Sequence, residues 1–168
     1  YINTGFVPKS KILTIELKAQ YTGSAPSSTL FFCGFKPSLA STPRVNIMLH
    51  NNDTFMFGMD ATGTTSIDYD NDIHVLKLVG ESTKQYGYID GSVVYQSSAT
   101  TTDFSTNTLP IFLFGRNTGG TGEGLMPMRF YYCKIFADNV LVREFVPRKN
   151  SVGVIGVLDK VNNEFYTN

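Results

Sequence analysis

Apolar and polar side chains alternate along most of this 168-residue chain. In residues 11–21, for example, Leu13, Ile15 and Leu17 fall on one face, whereas Glu16 falls on the other. A period of two places successive side chains on opposite faces of a β-strand, while an amphipathic helix needs a period of 3.6. The pattern therefore predicts an all-β protein whose strands have one buried face and one solvated face.

A two-residue turn at Asp90-Gly91 predicts a β-hairpin over residues 86–95. Both turn residues tolerate the positive φ that a type I′ turn requires at its two central positions. The turn predicts three cross-strand pairs: Ile89 with Ser92, Tyr88 with Val93, and Tyr86 with Tyr95.

A second turn, Asp138-Asn139, repeats this pattern, and Asn51-Asn52-Asp53 is a third hairpin signal between the apolar runs 45–50 and 54–59. For the second turn the same reasoning gives three pairs: Phe136 with Leu141, Ile135 with Val142, and Lys134 with Arg143. The last pair would place two like charges opposite each other, which is mildly unfavourable.

The remaining segments complete a two-layer architecture. Residues 30–35 and 111–115 are continuous apolar runs, which are typical of strands buried on both faces. Stretches rich in Ser, Thr, Gly and Pro are predicted to be surface loops: 22–29, 36–43, 97–108 and 117–124. About a dozen short strands joined by turns favour a two-sheet antiparallel β-sandwich, with a closed barrel as the alternative.

The balanced charge and the short apolar runs restrict the classes of partner. Fourteen Lys and Arg residues balance fourteen Asp and Glu residues, which argues against nucleic acids and anionic membranes as partners. No apolar run approaches the roughly 20 residues of a membrane-spanning helix.

The length suits a single domain, 1–168, and a start at Tyr1 without methionine predicts a piece excised from a larger protein.

Both cysteines, Cys33 and Cys133, lie in apolar strand-like runs. We expect two buried thiols that act as small apolar side chains, and a disulfide between two strands is the alternative.

Three stretches resemble the laminin-G-like branch of the concanavalin A-like lectin/glucanase superfamily, as in modules of phage tail and gut-bacterial surface proteins. They are residues 1–8, 71–95 and 131–168. The middle stretch has a His-x-Val strand and a strand ending in Asp-Gly, here His74-Val75 and Asp90-Gly91. The resemblance implies a jelly-roll sandwich in which strands from both chain ends pair in one sheet. It also implies an extracellular, cell-surface or virion location.

Catalysis is not expected. Glycoside hydrolysis needs two carboxylates that flank the scissile bond. Glucanases of this superfamily place them in a Glu-x-Asp-x-x-Glu pattern, which is missing here, because Glu16 and Glu144 each stand alone.

Three alternate aspartates, Asp68, Asp70 and Asp72, form a candidate calcium site. Carboxylates at alternate positions of a loop can converge on Ca²⁺, which prefers six to eight oxygen ligands. The alternative is a solvated acidic loop that precedes a strand.

Four loop or strand-end residues are candidates for binding a glycan: Tyr69, Phe104, Arg116 and Asn117. Their rings and polar groups suit a sugar face and its hydroxyls, and ordinary loop packing is the alternative for each. The favoured function is a non-catalytic carbohydrate-binding or adhesion module. A structural or protein-interaction spacer, for example in a tail fibre, is the second hypothesis, and a glycoside hydrolase is the third.

Overall fold

The structure is a computed structural model that describes residues 1–24, 26–37, 43–50, 54–100 and 102–167. For residues 61–64 and 66 only the backbone is described. Sixteen β-strands form the regular structure of these ranges. Within them, no helix is long and apolar enough to cross a bilayer.

The strands form two eight-stranded sheets that stack as a sandwich. Sheet A consists of β1 (Ile2–Asn3), β3 (Leu30–Lys36), β4 (Val45–Leu49), β5 (Thr54–Met59), β6 (Ala61–Asp68), β10 (Phe112–Leu113), β11 (Arg116–Thr118) and β12 (Thr121–Glu123). Sheet B consists of β2 (Leu13–Tyr21), β7 (Ile73–Gly80), β8 (Lys84–Ile89), β9 (Ser92–Ser98), β13 (Met128–Ala137), β14 (Val140–Lys149), β15 (Ile155–Asp159) and β16 (Glu164–Tyr166). The predicted all-β, two-sheet antiparallel sandwich is confirmed.

Strand order explains how the ends of the chain meet. Sheet A runs β1-β10-β3-β4-β5-β6, with the β11–β12 hairpin attached to β3 through a short parallel pairing. Sheet B runs β16-β15-β14-β13-β2-β7-β8-β9. The early strand β2 pairs with the late strand β13 over its whole length, as the resemblance implied.

The hairpins predicted at Asp90-Gly91 and Asp138-Asn139 form, but each contains a bulge that the turn residues do not reveal. Ile89 faces Ser92 and Tyr88 faces Val93, as predicted, and then the register shifts so that Tyr95 faces Gly87. The predicted pairing of Tyr86 with Tyr95 is therefore wrong, because one extra residue of β9 is left unpaired.

The same shift occurs at the same position of the second hairpin. Phe136 faces Leu141, and Ile135 then faces Arg143 in place of Val142. As a result Lys134 lies opposite Glu144, and the predicted like-charge pair with Arg143 is wrong. The bulge replaces a repulsive pair by an attractive one. The turn predicted at residues 51–53 lies outside the described residues, although the strands on either side, β4 and β5, do pair.

The inward faces of both sheets form one hydrophobic core. Leu13, Ile15 and Leu17 of β2 are buried in it, as their alternation predicts. Cys33 and Cys133 are buried free thiols, so the alternative of a disulfide is wrong. Burial raises the pKa of Cys33 to about 12, and it also raises the pKa of Cys133, so both act as apolar side chains.

The outer face of sheet A carries a second, smaller apolar cluster. Phe31, Met48 and Met56 belong to the neighbouring strands β3, β4 and β5, and they form a cluster separate from the main core. Phe31 faces Met48, and Met48 faces Met56, across the sheet. This cluster is the floor of the cleft described next.

Candidate binding cleft

A cleft of about 410 Å³ lies over the outer cluster of sheet A. Its floor is Phe31, Met48 and Met56, and its polar lining is contributed by the segment before β3, the end of β4 and the β11–β12 hairpin. The polar lining residues are Ser28, Thr29, His50, Arg116 and Glu123. An apolar floor with a few convergent polar groups is the usual composition of a ligand site.

Arg116 is a polar group of the cleft that three contacts hold in place. Its guanidinium carbon lies 4.1 Å from the centroid of the Phe31 ring, so the cation rests on the aromatic face. Its Nη2 donates to Glu123 Oε2 at 2.9 Å, and its Nε donates to Thr118 Oγ1 at 3.3 Å. Three contacts therefore fix the orientation of a side chain that is only 10% exposed.

Glu123 lies beside Arg116 and faces solvent. Its Oε2 accepts a hydrogen bond from the Thr118 hydroxyl at 2.5 Å in addition to that from Arg116. The bonds from Thr118 and Arg116 hold the pKa of the Glu123 carboxyl below its ordinary value, so it is ionised at neutral pH. No described residue donates a hydrogen bond to its other oxygen, Oε1.

The β11–β12 hairpin that carries both groups was predicted to be a loop. Two glycines form its turn, Gly119 with φ 58° and Gly120 with φ 99°, a backbone conformation that glycine adopts without strain. The amide of Gly120 donates to Asn117 Oδ1 at 2.7 Å, which closes the turn. The glycine pair was the signal for this hairpin, and it also brings Glu123 opposite Arg116.

Of the four predicted glycan contacts, only Arg116 lines the cleft. Phe104 is 2% exposed and packs edge-on against Phe35 in the core, so its ring is not accessible to a sugar. Asn117 is also buried, and its amide donates to the carbonyl of Pro110. Tyr69 is half-buried against the core, with its ring edge-on to Tyr21.

The three aspartates proposed as calcium ligands do not converge. Asp70 Oδ1 accepts hydrogen bonds from the backbone amide of Asp72 and from His74 Nε2. Within the described ranges, no group of three or more His, Cys, Asp or Glu side chains could hold a metal ion. The structure therefore gives no support to a calcium site at Asp68, Asp70 and Asp72.

Known structures with a similar fold include a carbohydrate-binding module of a sialidase. No family model matches the chain, and no curated protein matches it. The CBM40 module of the Ruminococcus gnavus IT-sialidase superposes with a TM-score of 0.52 at 11% identity, and the same module bound to α2,3-sialyllactose superposes with a TM-score of 0.53 at 11% identity. These matches cover 71% of this chain and 74% of the module. The fold is similar to that of a sialidase carbohydrate-binding module.

Two whole enzymes match a larger share of this chain. The leech intramolecular trans-sialidase and the NanB sialidase of Streptococcus pneumoniae each superpose with a TM-score of 0.57, at 10% and 12% identity. Each match covers 95% of this chain but only 33% or 34% of the enzyme. The chain thus spans about a third of the length of these sialidases.

The residues that carried the family resemblance form a structural clamp. His74 Nδ1 lies 2.7 Å from Asp90 Oδ2, and its Nε2 lies 2.8 Å from Asp70 Oδ1. Asp90 Oδ1 also accepts a hydrogen bond from the amide of Val75, which ties the hairpin turn to β7. Two carboxylates facing both ring nitrogens favour the doubly protonated imidazolium.

The clamp predicts a pH-dependent contribution to stability. Partial burial opposes the charged imidazole, but the hydrogen bonds to Asp90 and Asp70 outweigh it and raise the pKa of His74 above 6.5. Burial likewise opposes the charged carboxylates, yet their hydrogen bonds lower the pKa of Asp70 and Asp90 below 3.8. The His74 contribution is complete below pH 6.5 and is lost as the pH rises through its folded pKa; the aspartate contribution is lost as the pH falls below 3.8.

We therefore expect the clamp to stabilise the fold most between about pH 4 and pH 6.5. In the Asp90→Asn variant, NMR titration should give a lower pKa for His74, and urea unfolding should show a stability loss of up to about 1 kcal/mol in this window. Asp138→Asn is the matched control, because Asp138 opens the other hairpin turn with nearly the same φ, 49° against 50°. An unchanged His74 pKa in Asp90→Asn would contradict the clamp.

Proposed function

We propose that this chain is a non-catalytic carbohydrate-binding module of a larger secreted or surface protein, and that the cleft on the outer face of sheet A is its glycan site. The observation that carries the proposal is that three contacts fix the nearly buried guanidinium of Arg116 in the wall of the cleft. A fold similar to that of sialidase carbohydrate-binding modules supports the same class of ligand.

The cleft has the chemistry that a sugar requires. A pyranose presents adjacent hydroxyls, which donate and accept hydrogen bonds, and apolar C–H faces. Arg116 has five N–H donors, of which the one on Nε bonds Thr118 and one of the two on Nη2 bonds Glu123, while Glu123 Oε1 is an adjacent acceptor. Met48 and Met56 supply unbranched apolar side chains that adapt to the C–H face of a ligand.

Phe31 acts as a positioning residue in this proposal. Its ring is 2% exposed and lies beneath the guanidinium, so it supports Arg116 and does not stack on the ligand itself. A group that is already oriented in the free protein lowers the entropic cost of binding. The Arg116–Glu123 pair is therefore prepared to bind two neighbouring hydroxyls.

The charge of the cleft indicates which glycans bind. Glu123 is ionised and offsets the charge of Arg116, so the pair recognises hydroxyls and needs no carboxylate on the ligand. We expect neutral oligosaccharides to bind, even though sialyllactose is the ligand named for the structural relatives.

The proposal is tested on a glycan array that contains neutral and sialylated oligosaccharides, followed by calorimetric titration of the best ligand. Lactose and α2,3-sialyllactose form a matched pair that differs only in the acidic sugar. We expect saturable binding that EDTA leaves unchanged. Failure to bind any glycan would contradict the proposal and favour a structural or protein-interaction spacer, and release of reducing sugar ends would identify a hydrolase instead.

A further inference from the structure

Asn46 is a buried amide that satisfies none of its hydrogen bonds. It lies on β4 between Val45 and Ile47, whose side chains belong to the core, so the Asn46 side chain is on the outer face of sheet A together with Met48. The residue is 0% exposed, and neither Oδ1 nor Nδ2 has a hydrogen-bond partner. Buried polar groups nearly always have a partner, so this exception requires an explanation.

Glycines flank Asn46 on both neighbouring strands. Gly34 of β3 and Gly58 of β5 face Asn46 directly across the sheet. A Cβ at Gly34 would lie 3.0 Å from Asn46 Oδ1 and 2.3 Å from the carbonyl oxygen of Val45. The two glycines therefore leave the amide in a slot without side chains on either side, and neither can supply a side-chain hydrogen bond.

This slot is next to the floor of the cleft. Met48, a floor residue, is two positions from Asn46 on the same face of β4, a separation of about 7 Å. Methionine is unbranched and flexible, so Met48 can change its rotamer at little cost. Such a movement would open the cleft toward the Asn46 amide.

We infer that Asn46 is a second polar contact of the glycan, reached when the ligand displaces Met48. The inference rests on the proposed function and extends its site along sheet A. An asparagine amide has an acceptor and a donor side by side, which match two adjacent sugar hydroxyls. The bound glycan then supplies the hydrogen bonds that the free protein lacks. The free protein keeps an amide that lowers its stability because that amide serves binding.

The test is a pair of measurements on Asn46→Leu, a branched side chain of similar shape without polar atoms. We expect its thermal midpoint to rise by a few degrees, because an unpaired buried amide is removed, and its affinity for the glycan found by the array to fall at least tenfold. Asn46→Ala, with a smaller side chain, covers the case in which leucine does not fit, and it should lose affinity to the same extent.

Asn107→Leu is the matched control. Asn107 is also buried, but its amide donates to the carbonyls of Pro8 and Leu109, so leucine there should lower the thermal midpoint. Unchanged glycan affinity in both Asn46 variants would overturn the inference and leave the proposed function intact. A wild-type protein that binds no glycan would overturn both.

Discussion

Replacement of Asp159 by alanine is expected to lower the free energy of unfolding by about 3–5 kcal/mol. Asp159 is 0% exposed at the end of β15, and its Oδ1 accepts hydrogen bonds from the amides of Glu144 and Val161. Its Oδ2 accepts one from the side chain of Asn162 and lies 3.4 Å from Arg143 Nε. Alanine would remove the acceptor of three hydrogen bonds and leave the mostly buried Arg143 without its counter-charge.

Chemical unfolding in urea at neutral pH measures this loss. Asp159→Asn should be less destabilised, since it keeps the shape and part of the hydrogen bonding but not the charge. Asp72→Ala is the control for an exposed aspartate and should change stability by less than about 0.5 kcal/mol. A loss below about 1 kcal/mol in Asp159→Ala would show that this site is not an important anchor of the C-terminal strands.

Replacement of Arg116 by alanine is expected to weaken glycan binding about 100-fold, which corresponds to about 2.7 kcal/mol. Arginines that are nearly buried and already fixed in place contribute strongly to recognition, because binding then costs little additional side-chain conformational entropy. Arg116→Lys keeps the charge but loses the planar donor pattern, so its affinity should be intermediate. Calorimetric titration of folded variants measures the affinities.

Arg148→Ala is the matched control for the loss of an arginine. Arg148 is exposed on β14, in sheet B, and has no place in the cleft. The affinity of Arg148→Ala for the glycan should equal that of the wild type. If Arg116→Ala and Arg148→Ala bound the glycan equally well, the cleft would not be the binding site.

The fold could be predicted because alternation and turn chemistry are local signals. Leu13, Ile15 and Leu17 are inward as expected, and the turns at Asp90-Gly91 and Asp138-Asn139 form. The registers beyond those turns could not be predicted, because the turn residues indicated only the first pairs of each hairpin and the register shifts directly after them. The identical position of the two bulges was not evident from the sequence.

Of the predicted glycan-binding residues, Arg116 is the one that lines the candidate cleft. Phe104 was expected at the surface because it lies in a Ser- and Thr-rich loop, whereas its ring is buried against Phe35. The floor residues were missed because a continuous apolar run such as 30–35 does not indicate which side chains face outward. Glu123 was missed because its contact with Arg116 depends on the glycine turn that the hairpin forms.

Chemical-shift mapping tests the central claim most directly, since it locates the bound glycan without any substitution. The ¹⁵N-labelled chain is titrated with the best ligand from the array, and amide shifts are followed by NMR. We predict that the perturbed amides cluster at residues 28–31, 46–50, 54–56 and 116–123. A cluster on the outer face of sheet B, around Lys77, Tyr86 and Tyr88, would contradict the assignment of the cleft.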